Sequence, residues 1–116
     1  MAFTEVFSGI AVADIGLARA WDERLMSRPA DMLPNDNEAA WQLAGHGWIY
    51  LVGDRERAGK ALVTLLVDDL DAQLAGLAER GLEAGPIETL GNGVRKATIA
   101  DPDGNTISFG GVPAAD

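Results

Sequence analysis

The chain has 116 residues, the size of one ordinary domain, and its 47% hydrophobic and 23% charged residues are typical of a globular protein. It has no cysteine and one histidine, His46, which excludes disulfides, thiolate zinc sites, a cysteine nucleophile and a two-histidine metal site in one chain. The net charge of −9 argues against a nucleic acid partner, because phosphates require a basic surface. No apolar run is long enough to span a membrane, and no basic segment followed by an apolar one opens the chain. We therefore expect a cytoplasmic protein without a membrane partner.

The first elements in chain order are a strand and a helix. Phe3 to Val12 alternates between two faces, which predicts a strand. Asp14 stands at the N-cap position of a helix with apolar residues at helical spacing, and Arg28-Pro29 ends that helix. Residues 34–37 are turn formers and predict a loop.

A hairpin of two short strands follows this loop. The strands are predicted at Ala39–Ala44 and Gly47–Val52, with Gly45-His46 as a two-residue turn between them. This pairing sets Trp41 opposite Tyr50. The side chains then expected to share one sheet face are Trp41, Trp48 and Tyr50.

The second half of the chain predicts the same kinds of element. A strand at Ala61–Val67 leads to a helix that is capped by Asp69 or Asp71 and ends at Gly81. Three extended segments follow: Ala84–Leu90, Val94–Ala100 and Thr106–Gly110. The last two are joined by Asp101-Pro102-Asp103-Gly104-Asn105, a tight-turn sequence in which the two carboxylates are explained by turn chemistry.

The two halves repeat one pattern. Ile10, Val12 and Asp14 precede Leu65, Val67 and Asp69 by 55 residues each, about half the chain. This indicates an α+β fold in one domain, residues 1–116, made of two βαβββ modules at about 1–54 and 60–112. We expect two curved mixed sheets that form a cup, with the helices outside.

The face of each strand that points away from the helices would line this cup. The residues predicted on this inner face are Glu5, Phe7, Gly9, Trp48, Tyr50, Lys60, Leu62, Thr64, Thr106 and Ser108, with either Arg95 or Lys96. A mixed inner face is typical of a ligand cavity, and equally of a sheet that faces solvent.

Three segments resemble the vicinal oxygen chelate superfamily, also called the glyoxalase/bleomycin-resistance/dioxygenase family: Gly9–Asp14, Leu65–Leu70 and Asp101–Ile107. The resemblance covers nearly the whole chain and implies four metal-ligand positions inside the cup. Counted from the matched motifs, these positions hold Phe7, Tyr50, Leu62 and Ser108. None is a good ligand for a divalent metal, so we expect no metal and no cofactor, and neither glyoxalase I nor extradiol dioxygenase chemistry.

The favoured function is therefore metal-free binding of a small molecule, with sequestration of an aromatic or cationic compound in an aromatic-lined cleft. The candidate ligand-binding residues are Phe7, Trp41, Trp48 and Tyr50 for stacking, Leu62 in the lining, Glu5 for charge complementarity, and Ser108 or Thr64 for hydrogen bonds. One alternative is an enzyme of the same superfamily, a glyoxalase-like lyase, isomerase or dioxygenase with an atypical or absent metal site, in which Glu5 or His46 is the base. A third is a structural or regulatory protein that fills its own cup. The resemblance also implies a homodimer, because members of the family usually pair their modules across an interface.

Overall fold

The computed structural model describes residues 2–112. These residues form an α+β fold of two four-stranded mixed sheets and two helices. Sheet one contains β1 (Val6–Val12), β2 (Met32–Asn35), β3 (Glu38–Ala44) and β4 (Gly47–Gly53), with helix α1 (Ile15–Met26) after β1. Sheet two contains β5 (Leu62–Val67), β6 (Glu88–Thr89), β7 (Arg95–Ala100) and β8 (Thr106–Gly111), with helix α2 (Leu70–Glu79) after β5. Neither helix of the described part is long and apolar enough to span a bilayer.

Both sheets have the same topology. The strand orders are β1-β4-β3-β2 and β5-β8-β7-β6, so the first strand of each module lies at a sheet edge. That first strand is parallel to its neighbour, and the remaining pairs are antiparallel. The predicted pair of βαβββ modules is confirmed, and the sheets do not close into a barrel.

The helices begin where the capping residues predict. The side chain of Asp14 accepts a hydrogen bond from the backbone N–H of Leu17 at 3.1 Å, and that of Asp69 accepts one from Ala72 at 3.0 Å. Each carboxylate satisfies an N–H group that has no partner within the helix, and its charge suits the positive end of the helix dipole. Of the two candidates for the second cap, Asp69 is therefore the one used.

The core lies on the helix-facing sides of the two sheets. One cluster of buried residues contains Ile10, Val12, Ala18, Ala39, Trp41, Ile49 and Leu51, and the other contains Leu25, Leu70, Leu77, Leu82, Ile99, Ile107 and Phe109. Val63 and Leu65 of β5 pack against both clusters. Edge strand β5 thus joins the two modules into one apolar core.

Two arginines link the ends of the helices. The guanidinium of Arg24 donates to the backbone oxygens of Arg80, at 3.0 and 2.9 Å, and Gly81, at 3.1 Å. Arg80 in turn donates to the backbone oxygens of Arg24 and Leu25. Each helix therefore ends on a cation from the other module, which satisfies carbonyl groups that the helix leaves unpaired.

The predicted turn between β7 and β8 also connects the modules. The Asp101 carboxylate accepts from the backbone N–H groups of Asp103 and Asn105, as turn chemistry predicts. The fully buried amide of Asn105 donates to the backbone oxygen of Ala11 and accepts from the N–H of Ala61, both at 2.9 Å. Asn105 is thus a bridge between the first strands of both modules.

Several predicted boundaries differ from the structure. Residues 32–35, partly predicted as loop, form β2, and the turn is confined to residues 36–37. Pro34 is tolerated because β2 is an edge strand, where a missing N–H costs little. β1 begins at Val6 rather than Phe3, and within the predicted segment 84–90 only residues 88–89 form a strand.

The hairpin is confirmed, but its register differs by one residue. Ala44 pairs with Gly47, whereas the next pair is Gln42 with Trp48, so Leu43 is an extra residue in β3. This β-bulge exchanges the two faces of β3 beyond it. As a result Trp41 lies opposite Ile49, and Tyr50 lies opposite Ala40.

Candidate functional site

Three aromatic side chains lie together on the side of sheet one that faces away from α1. Phe7 of β1 is paired with Trp48 of β4, and their rings are stacked with centroids 5.3 Å apart and an interplanar angle of 19°. Phe7 meets Tyr50 edge-on, with centroids 6.4 Å apart. Phe7 is 45% exposed, which is unusual for a large apolar side chain in a sheet. We call Phe7, Trp48 and Tyr50 the aromatic face.

Gly9 makes room for the ring of Tyr50. A Cβ atom at this position would lie 2.8 Å from Cζ and from the hydroxyl oxygen of Tyr50, closer than van der Waals contact allows. Because glycine has no side chain, the Tyr50 ring lies directly over strand β1. The position of the Tyr50 ring in the aromatic face therefore requires glycine at residue 9.

Glu5 holds Trp48 at one end of the aromatic face. Its Oε2 atom accepts a hydrogen bond from the indole Nε1–H of Trp48 at 2.8 Å, and its Oε1 atom lies 3.0 Å from Nδ1 of His46. The hydrogen bonds from His46 and then Trp48 hold the pKa of Glu5 below its ordinary value. The carboxylate is therefore ionised at neutral pH, and it orients the indole ring.

A cavity of about 230 Å³ opens beside the aromatic face. It is lined by Phe7, Met32, Pro34, Glu38, Ala40 and Tyr50, all from sheet one. Strand β2, of which residues 34 and 35 were predicted as loop, supplies one wall of this cavity. The missed signal is the apolar run Met32-Leu33-Pro34, which stands just before the turn formers.

Trp41 does not belong to this face, and the prediction that it shares a face with Trp48 and Tyr50 is wrong. Its side chain is fully buried in the first core cluster on the helix-facing side, and its Nε1–H donates to the backbone oxygen of Arg28 at 3.1 Å. The bulge at Leu43 is the physical cause, since it turns Trp41 to the opposite side of the sheet.

The predicted residues of the second module lie on sheet two. Leu62 is 86% exposed, and the Ser108 hydroxyl is buried against that of Thr98 at 2.8 Å. Thr64 pairs with Ser108 across the β5–β8 ladder. The structure therefore groups Phe7, Trp48, Tyr50 and Glu5 in one module, and Leu62, Thr64 and Ser108 in the other.

The choice between Arg95 and Lys96 is also resolved. Arg95 forms a bidentate ion pair with Asp71 of α2, with N–O distances of 3.0 and 3.2 Å. Its side chain therefore lies on the side of sheet two that faces α2. Lys96 alternates with it and shares the inner side of β7 with Thr98.

A larger cleft of about 840 Å³ lies between the modules, beside β5 and α2. Thr64 reaches it, but the aromatic face does not contribute to its walls. The arginine in its lining, Arg80, already donates hydrogen bonds to backbone carbonyl groups at the end of α1. We therefore place the candidate site at the aromatic face.

The residues present do not fit a divalent metal at the four positions that the family resemblance indicates. Phe7 and Leu62 offer no donor atom, Tyr50 offers a phenol, and the Ser108 hydroxyl is paired with Thr98. Within residues 2–112, no group of three or more His, Asp or Glu residues is arranged to hold a metal ion.

Two open sheets of duplicated topology, each with a helix after its first strand, define the class of proteins built from two βαβββ modules. The chain belongs to the Glyoxalase/Bleomycin resistance protein/Dioxygenase superfamily, whose sequence model matches residues 9–109.

Solved structures agree with this assignment. A glyoxalase/bleomycin resistance protein from Catenulispora acidiphila DSM 44928 is 48% identical, with a TM-score of 0.90 over 96% of this chain and 100% of that one. TnmS3, an antibiotic binding protein from Streptomyces sp. CB03234, is 26% identical, with a TM-score of 0.75 over 98% of this chain and 99% of that one. The oxidase ChaP-H1 is 20% identical, with a TM-score of 0.74 over 97% and 98% of the two chains, and this likeness shows the fold alone. No curated protein matches the chain.

Proposed function

We propose that this protein binds a small aromatic or cationic compound on the aromatic face and sequesters it without the help of a metal. The observation that carries the proposal is the stacking of Phe7, which is 45% exposed, on the partly buried ring of Trp48, which Glu5 holds in place. Aromatic side chains offer a large contact area and lose little conformational entropy on binding. The ionised Glu5 and the net charge of −9 favour a ligand with positive charge.

Two further observations support the proposal. The metal-ligand positions of the family hold residues that do not fit a divalent metal, which argues against the metal-dependent reactions of the superfamily. The likeness to TnmS3, an antibiotic binding protein, covers nearly the whole of both chains. Binding without chemistry is therefore compatible with this fold and with the side chains of this chain.

The proposal predicts that Trp48→Ala weakens binding of a planar aromatic cation. Ethidium is a suitable probe, and isothermal titration of the metal-stripped protein measures its dissociation constant. We expect an increase of about tenfold or more, because the ligand loses its stacking partner.

A control variant separates the aromatic face from general surface effects. Leu17→Ala removes an exposed leucine of α1, on the opposite side of sheet one, and should leave ethidium binding unchanged. Equal affinities of wild type and Trp48→Ala would contradict the placement of the site, provided that both proteins keep the same unfolding midpoint.

One observation favours the alternative of an enzyme. Glu5 and His46 form a carboxylate–imidazole pair at the edge of the aromatic face, the arrangement that orients a general base in many enzymes. A tightly held, stoichiometric divalent ion in the purified protein would also favour this alternative.

We also propose that two copies of the chain associate. The edge strands β1 and β5 expose large apolar side chains, among them Val6, Leu62 and Leu66. Exposed apolar sheet edges invite pairing with another chain, and a homodimer would cover them.

A further inference from the structure

The carboxylate of Glu5 connects two aromatic rings at one end of the aromatic face. One oxygen accepts the indole N–H of Trp48 at 2.8 Å, and the other lies 3.0 Å from Nδ1 of His46. An indole nitrogen can only donate, so the first contact has one possible direction. The direction of the second contact depends on where the imidazole carries its proton.

The chemistry of the carboxylate settles this direction. An ionised carboxylate has no proton to donate, so Nδ1 of His46 must carry the hydrogen that joins it to Glu5. In a neutral imidazole the other nitrogen, Nε2, then has a free lone pair and can only accept. The side chain of His46 is 78% exposed, so this lone pair is open to a ligand.

The backbone fixes the position of this imidazole. His46 is the second residue of the β3–β4 turn, immediately before the strand that carries Trp48 and Tyr50. Its backbone oxygen accepts a hydrogen bond from the N–H of Val6 at 2.9 Å, which attaches the turn to β1. The imidazole is thus held at both its backbone and its ring, beside the indole of Trp48.

We propose that Nε2 of His46 is the hydrogen-bond acceptor of the binding site. The ligand class is then an aromatic compound that carries an O–H or N–H donor at the edge of its ring system. The inference rests on the proposed function, because the ring of the ligand must lie on the aromatic face for its edge to reach His46. Glu5 is a positioning residue in this arrangement, since it acts on the ligand through His46 and Trp48.

The first test requires no ligand. Nitrogen-15 NMR at pH 8 identifies which nitrogen of His46, the only histidine, carries the proton. We expect the Nδ1-protonated form in the wild type and a shift toward the Nε2-protonated form in Glu5→Ala. Glu56→Ala is the control, since it removes an exposed carboxylate outside the aromatic face and outside the cavity beside it, and it should leave the tautomer unchanged. A wild type that is mainly protonated on Nε2 would overturn the inference.

The second test compares two probes that differ in one hydrogen-bond donor. 2-Naphthol carries an O–H group, and 2-methoxynaphthalene carries a methyl ether in its place. The shift of the Trp48 indole N–H signal in NMR reports the binding of either. We expect 2-naphthol to bind about fivefold more tightly to the wild type. We expect equal affinities in His46→Phe, and the wild-type preference in Glu56→Ala.

The outcomes distinguish this inference from the proposed function. If both naphthalenes bind the wild type equally well, the aromatic site stands and the role of His46 is wrong. If neither naphthalene binds but ethidium does, the aromatic site stands and the inference fails. If ethidium does not bind either, the proposed function fails and the inference fails with it.

Discussion

Asp22 is a carboxyl group inside the apolar core of the protein. It lies on the buried face of α1 between Ala18 and Leu25 and is 2% exposed, and its Oδ2 atom has no hydrogen-bond partner among residues 2–112. Burial, and secondarily the charge of Asp101, raises the pKa of Asp22 to about 7. The folded protein therefore keeps a proton that the unfolded chain releases near pH 4. The contribution of Asp22 to the free energy of unfolding thus falls as pH rises from about 4 to about 7, and levels off above that.

This linkage predicts the behaviour of Asp22→Asn. The amide has nearly the shape of the protonated carboxyl and does not ionise, so the stability of the variant relative to the wild type should increase by about 1–3 kcal/mol between pH 5 and pH 8. Urea denaturation at the two pH values measures this difference. Asp36→Asn, in an exposed turn, is the control. A stability difference that is the same at both pH values would show that Asp22 does not titrate in this range.

Single residues of the candidate site were predictable to different degrees. Alternation within each strand correctly placed Phe7 of β1, and Trp48 and Tyr50 of β4, on the side of the sheet away from the core. Within a strand, the direction of a side chain follows from local geometry. The side of Trp41 was not predictable in the same way. It depends on a bulge at Leu43, an apolar residue whose type carries no signal for a bulge.

At the scale of elements, the duplication was readable because it rests on local signals. An alternating strand, an aspartate cap and an apolar helix stripe recur after 55 residues, and each element forms where that pattern places it. Strand β2 was missed for the opposite reason. Its apolar start, Met32-Leu33, is followed by Pro34 and turn formers that predict a loop, so its pairing with β3 outweighs this part of the local pattern. Because β2 supplies one wall of the cavity beside the aromatic face, the sequence did not predict that wall either.

At the scale of the whole molecule, the contacts that join the modules link distant parts of the chain. The turn at residues 101–105 was predicted, but the hydrogen bonds from Asn105 to Ala11 and Ala61 were not. The hydrogen bonds by which Arg24 and Arg80 each donate to backbone oxygens at the end of the other helix were not predicted either. A linear pattern shows that Asn105 can end a turn, but it does not show which strands the turn will meet.

The proposed association of two copies predicts an effect of substitutions at the exposed edge of sheet two. Leu62 and Leu66 are 86% and 70% exposed, so replacing both with serine should shift a dimer toward monomer. Sedimentation velocity measures the molecular mass directly. Leu17→Ser, on the exposed side of α1, should leave the dimer intact. A wild type that sediments as a monomer of 12.2 kDa at high concentration would contradict the proposed association.

Metal-free binding on the aromatic face is tested most directly by calorimetric unfolding of the protein with and without ethidium, in EDTA and again in Zn²⁺, Mn²⁺ or Ni²⁺. Ethidium at about 100 times its dissociation constant should add about 2.7 kcal/mol of stability, a rise of several degrees in the unfolding midpoint. We predict the same rise in EDTA and in each metal. A rise that appears only with a divalent metal would contradict metal-free binding and favour the enzymatic alternative.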